Sequence, residues 1–152
     1  MRISGQGPKL TAAQIDAASK RLPRPIPPPF RSFLVSHNGG HPTPSGFTIP
    51  GRTGSMKWAD VRSFLGIGVP EETEELGYVL KTFEGRIPDG FFPVARDAGG
   101  NLILVGTSGD REGAVFFSDQ EEQEEDGQRV VVTDARELAS SLDEFVKGLS
   151  DG

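Results

Sequence analysis

Three short apolar runs, separated by two tight glycine-bearing turns, most constrain what this chain can become. Residues 91–95, 102–107 and 113–118 are joined by Asp97-Ala-Gly-Gly-Asn101 and by Ser108-Gly-Asp110. Connections this short join antiparallel neighbours, because a parallel pair needs a crossover of a dozen or more residues. The spacing therefore predicts an antiparallel meander, entered through the turn Pro88-Asp89-Gly90. A phosphate loop at Gly99-Gly100-Asn101 would continue into Lys-Ser or Lys-Thr and a helix. Leu-Ile-Leu-Val follows instead. Gly99 and Gly100, flanked by Asp97 and Asn101, thus serve a turn, since glycine tolerates positive φ.

Upstream, Thr11 and Gln14 have capping-box spacing, with Leu10 and Ile15 at the staple positions. Ile15, Ala18 and Leu22 share the face of the helix they start, and Pro23 ends it. Residues 1–9 read as a flexible tail and residues 10–149 as one domain. The segment Pro23-Arg-Pro-Ile-Pro-Pro-Pro29 is too proline-rich for helix or central strand, so it is expected to be extended and stiff. It makes a weak SH3-type ligand and an ordinary rigid connector. A second helix carries Phe30, Phe33, Leu34 and His37 on one stripe, and Asn38-Gly39-Gly40 stops it with left-handed backbone.

Strands are expected over residues 46–50 and 61–67. A helix starting near Glu71 carries Leu76, Val79, Leu80 and Phe83, with Glu71, Glu72, Glu74 and Glu75 at its positive end. After a polar loop, residues 130–133 read as a strand. Asp134 and Glu137 then cap a last helix, from near Ala135, with Leu138, Leu142, Phe145 and Leu149 on its apolar face. The class is α+β: a single domain with one mixed, largely antiparallel sheet of about five to six strands, packed with N-terminal, middle and C-terminal helices.

The chain has 152 residues and 0 Cys, so disulfides and thiolate metal sites are excluded, which suits a reducing cytoplasm. No stretch approaches the roughly 20 apolar residues of a membrane span, and residues 1–10 lack the apolar core of a signal peptide. The net charge of -6 argues against direct nucleic-acid binding, which needs a basic footprint, and suits a basic protein partner. The charge is also polarised. Arg2, Lys9, Lys20, Arg21, Arg24 and Arg31 face only Asp16 in the first 37 residues, whereas carboxylates crowd residues 110–126.

Catalytic chemistry finds little support. His37 and His41 mimic a metal pair, but Asn38-Gly39-Gly40 between them prevents a shared helical face, and neither Cys nor a carboxylate nearby in sequence completes a site. No metal and no cofactor are expected. No Gly-x-Ser-x-Gly elbow occurs, and adjacent solvated carboxylates do not make a tuned acid–base pair. The chain is therefore expected not to be an enzyme.

Two features point to binding. The run at 119–126 holds Asp119, Glu121, Glu122, Glu124, Glu125 and Asp126. It lacks the glycine and ligand spacing of an EF-hand. It is either a solvated hairpin loop or a patch that steers a basic partner. Trp58, the one tryptophan, is either core or an interface anchor.

Four landmarks in order carry a family resemblance: Leu22-Pro23 leading to Phe30-Arg-Ser-Phe-Leu-Val-Ser-His-Asn-Gly-Gly40; Pro93-Val-Ala-Arg-Asp-Ala-Gly-Gly-Asn101; Gly113-Ala-Val-Phe-Phe117; and Phe145 near the end. In these the chain resembles the SUKH superfamily, which includes bacterial immunity proteins and a fungal cell-wall assembly regulator. It departs in its long proline insert and in Ser118, where an aromatic is usual. The resemblance implies a sheet packed against helices and a non-enzymatic role: binding and neutralising a toxin domain, often a basic nuclease, in the cytoplasm. A regulatory adaptor for a cellular protein is the alternative. Trp58 as anchor and the acidic run as steering patch are the contacts expected for the immunity role.

Overall fold

Thr11 caps the first helix as its spacing predicts. Its hydroxyl accepts from Gln14 N at 3.2 Å, and the Gln14 side chain accepts from Thr11 N at 2.9 Å. From there the chain can be followed in a computed structural model that describes residues 2–51, 56–125 and 128–151, with backbone alone for 120–125 and 128–134. In order come β1 (Arg2–Ser4), α1 (Ala12–Ser19), α2 (Pro28–Ser36), β2 (His41–Thr43), β3 (Gly46–Pro50), β4 (Met56–Phe64), α3 (Leu76–Thr82), β5 (Phe91–Asp97), β6 (Leu102–Gly106), β7 (Val115–Glu125), β8 (Gln128–Ala139) and α4 (Leu142–Lys147). A 3₁₀ turn, Glu72–Glu74, precedes α3.

The predicted meander is the centre of a six-stranded sheet of order β3-β4-β5-β6-β7-β8, every strand antiparallel to its neighbour. β1 and β2 form a separate antiparallel pair. The fold is α+β, and its main sheet is antiparallel throughout. The sheet curls until its outer strands touch: Arg136 in β8 donates from Nη1 to Pro50 O in β3 at 3.1 Å.

Register decides which face each apolar side chain serves. Pairings Phe92↔Val105, Ala95↔Ile103 and Ile103↔Phe117 put these residues on one face. Helices α2 and α4 cover it, with Phe30 on Phe92 at 5.9 Å, Phe33 on Phe64 at 4.9 Å and Phe145 against Phe47 at 5.5 Å between ring centres. Leu104 and Phe116 pair on the opposite face, where Phe91 meets Phe116 edge-on at 5.0 Å and Phe83 at the end of α3 lies under Arg96. Both faces are thus filled, which is why β6 is buried along its whole length. Each such large side chain contributes about 1.5–3 kcal/mol on burial. The proline connector is pinned to this core: Arg24 donates to Phe91 O and Ile87 O, both at 3.0 Å, and Ile26 is buried.

Several elements differ from the sequence reading, each for a tertiary reason. Arg2–Ser4, expected in a tail, pairs with β2, because His41–Thr43 offers it a free edge. The helix expected near Glu71 starts at Leu76: Gly66 donates to Glu74 O at 3.1 Å and accepts from Leu76 N at 2.9 Å, which holds the preceding turn out of helical register. The strand expected at 61–67 begins earlier, at Met56, through its hairpin with β3. The last helix starts at Leu142, capped by Ser141, whose hydroxyl accepts from Glu144 N at 3.1 Å. Ala135 and Arg136 pair instead with Ser118 and Phe117. Ser141 and Glu144 repeat the capping spacing of Asp134 and Glu137, and the strand partner decides between the two. The acidic run is likewise backbone-paired: residues 119–125 continue β7 against β8 rather than forming a loop.

Candidate functional site

The helices leave one end of the curled sheet uncovered. Beyond Phe47, strands β3 and β4 continue past α4, and the inner face ends in a concavity of about 510 Å³. Ile49, Ala59 and Phe117 are its apolar lining, and Lys57, Asp119 and Arg136 bring charge of both signs to it. The β5–β6 turn closes one side. Asp97, buried in that turn, accepts from Asn101 N at 2.7 Å and from Asn101 Nδ2 at 3.3 Å. Its carboxylate is spent on holding the hairpin. Gly100 has φ +85, as the turn reading requires. Asp60 lines the same hollow and accepts from Ser45 Oγ at 3.1 Å.

Trp58 stands beside this hollow with 43% of its surface exposed, which resolves the choice between core and surface in favour of the surface. Met56, two residues back on the same strand, is 62% exposed and shares its face by the period-two rule. These are the exposed large apolar side chains among the described residues. Sequence reasoning missed Met56 and Arg136. The i, i+2 spacing of Met56 and Trp58 is the signal that could have found the former.

The remaining sequence-flagged residues separate. Trp58, Asp97, Gly99, Asn101 and Asp119 gather at the hollow. Glu121, Glu122, Glu124 and Glu125 continue β7 outward from Asp119, their backbones opposite Val132, Val131, Arg129 and Gln128. Asp126 lies outside the described residues. Asn38, Gly39 and Gly40 sit elsewhere and hold the fold. Asn38 Oδ1 accepts from Ile67 N at 2.8 Å, its Nδ2 donates to Pro8 O and Ile67 O at 2.8 Å, and Gly39 and Gly40 have φ of +74 and +102.

A second cluster lies near β2. The His41 ring places Nε2 at 3.5 Å from Glu74 Oε2, and a Glu71 carboxylate oxygen stands within 4.8 Å of both ligand positions. The sequence reading found no carboxylate near His41. The fold supplies two from the turn before α3. Burial pushes the Glu74 carboxyl above its ordinary range, with His41 pulling the other way. His37 does not join; its ring lies 5.3 Å from Phe33.

The hollow is open, lined by both charge signs and bordered by the exposed Trp58, with Met56 exposed further along the same strand. Such a surface suits protein recognition, where aromatic and Met anchors are enriched and a polar rim surrounds them. No helix among the described residues is long and apolar enough to cross a membrane. The model of the SMI1 / KNR4 family (SUKH-1) matches residues 9–148. No curated protein and no solved structure matches the chain.

Proposed function

Because this chain belongs to the SMI1 / KNR4 family (SUKH-1), we propose that its binding role is that of a cytoplasmic immunity protein, which neutralises a basic toxin domain by covering its active surface. The protein contributes no bond-making chemistry of its own in this reading; it excludes substrate by occupying space. The observation that carries it is Trp58, exposed at the edge of an open hollow, with Met56 exposed two residues back on the same strand. Large apolar side chains left exposed together cost solubility unless a partner covers them. The acidic extension of β7 stands next to that hollow and supplies long-range attraction for a basic partner. A standard interface covers about 800 Å² on each side, enough to span both.

The test is co-expression with the toxin domain encoded beside the gene, followed by calorimetry on the purified pair. Wild type rescues growth, and Trp58→Ala weakens binding by at least 2 kcal/mol, about 30-fold, as loss of a central anchor does. Binding by wild type and Trp58→Ala with equal affinity would move the interface away from the hollow. Absence of any binding to that toxin, with retrieval of a different cellular protein that Trp58→Ala no longer binds, would favour the adaptor role.

A further inference from the structure

The cluster around His41 has the makings of a cation site, independently of the partner reading. His41 Nδ1 lies 2.7 Å from Arg62 O. A carbonyl oxygen only accepts, so Nδ1 carries the proton, and in the neutral ring Nε2 presents a lone pair. That lone pair faces Glu74 Oε2 at 3.5 Å. Two lone pairs facing each other at this distance are held by a shared proton or by a cation between them. A backbone carbonyl on the far nitrogen is also the usual outer partner of a metal-ligating histidine, because it fixes the tautomer and the ring orientation.

The groups already present do not satisfy Glu74. Its side chain is only 2% exposed, and Oε1 has no hydrogen-bond partner. The buried Ser63 hydroxyl beside it is close enough to favour the Glu74 carboxylate, but makes no hydrogen bond of good geometry. Arg62 stands 3.9 Å from Glu74 Oε1 and 3.7 Å from Glu71 Oε2, beyond the 2.7–2.9 Å of a charge-assisted bond. It offsets charge without closing either contact. A buried carboxylate oxygen left in this state is costly, and native structures rarely keep one without a reason.

We propose that His41, Glu71 and Glu74 bind a divalent cation of the zinc type, with His41 Nε2 and one carboxylate oxygen from each glutamate as ligands and a fourth position open to solvent. Zinc bonds of about 2.0–2.2 Å in a tetrahedron put neighbouring ligand atoms about 3.3–3.5 Å apart. The His41–Glu74 separation meets that spacing without backbone movement. Two carboxylates balance the charge of the ion. Glu74 is held on both sides, its N–H on Glu71 O at 3.1 Å and its carbonyl on Gly66 N at 3.1 Å. Glu71, whose side chain is half exposed, closes over the ion from the solvent side.

Full-length protein stripped with chelator is titrated with Zn²⁺ by calorimetry, with thermal melts in parallel. One equivalent should bind and raise Tm by several degrees, while Mg²⁺ at the same concentration should not. His41→Gln and Glu71→Gln should each weaken the site by more than about 100-fold, beyond the loss of an outer partner. Glu71 is exposed, so its variant folds whatever becomes of buried Glu74. His37→Gln should bind as wild type does. Co²⁺ in place of Zn²⁺ should give the visible absorption of a tetrahedral site. Wild type without a one-equivalent event, or full affinity in both His41→Gln and Glu71→Gln, overturns the proposal.

Discussion

Arg136 Nη1 donates to Pro50 O at 3.1 Å, joining the two outer strands of the sheet across its open mouth. The two residues are far apart in sequence, and the contact exists only because the sheet curls. Arg136 also borders the hollow beside Trp58, so the bond that closes the sheet shapes the surface proposed for recognition. Arg136→Met should cost about 1 kcal/mol, the net value of a partly exposed hydrogen bond. In a chain of this size that is a fall in Tm of about 2–4 °C. An unchanged melting curve would mean the curl is held by packing alone.

Glycines 40 and 100 both have positive φ, yet they should respond differently to Ala. A Cβ on Gly40 would collide with Ile3 Cγ2 and come within 2.7 Å of Ser4 O. That oxygen belongs to backbone and cannot swing away. Gly40→Ala should therefore cost about 2 kcal/mol or more, from φ strain together with displacement of β1. On Gly100 the new methyl would meet only Arg96 Nη2 at 3.8 Å. There the cost should be about 1 kcal/mol, from φ alone. Denaturant unfolding of the two variants checks the order, and equal costs would refute the role given to β1.

The acidic extension of β7 should act on encounter rather than on holding. Replacing Glu121, Glu122, Glu124 and Glu125 by Gln should leave Tm nearly unchanged and slow association with a basic toxin about tenfold at low salt. The difference should fade above 0.1 M salt, where the Debye length is about 10 Å or less. Dissociation should change little. Association rates against ionic strength for wild type and variant give the answer, and parallel lines would remove the steering role.

Asp16 and Arg31 link the first two helices through paired bonds of 2.7 and 2.9 Å. The Arg31 hydrogen bond holds the Asp16 carboxyl below the ordinary aspartate range. A lowered folded value means stability that is present above the unfolded pKa of about 3.9 and lost as pH falls through the folded one. Both groups face solvent, so the effect is small and screened. Asp16→Asn should lower Tm slightly at pH 7 and not at all at pH 2, and 1 M salt should shrink the difference. A pH-independent difference would assign the effect to packing.

The local chemistry of the chain determined a good deal by itself. The meander was legible because two short turns admit only antiparallel neighbours, and Gly100 takes the positive φ its turn demands. The first helix was legible because the Thr11 and Gln14 side chains satisfy each other within one turn. Gly39 and Gly40 take the positive φ expected of them, but the second helix ends before them, on His37 in extended conformation.

Tertiary structure decided where local signals were duplicated or partners were distant. Asp134 and Ser141 carry equivalent capping signals, and only pairing of Ala135 with Ser118 chooses the second. Trp58 was readable as either anchor or core until the β3–β4 register set it opposite Thr48, on the hairpin face away from buried Phe47 and Ile49. The approach of Glu71 and Glu74 to His41 follows from Gly66 gripping the turn between Glu74 and Leu76, a contact no periodicity encodes. Capping, turns and strand spacing act over a few bonds and are written into short sequence. Edge closure, exposure and ligand clusters depend on long-range packing, and they exist only once the sheet has bent and its helices have covered it.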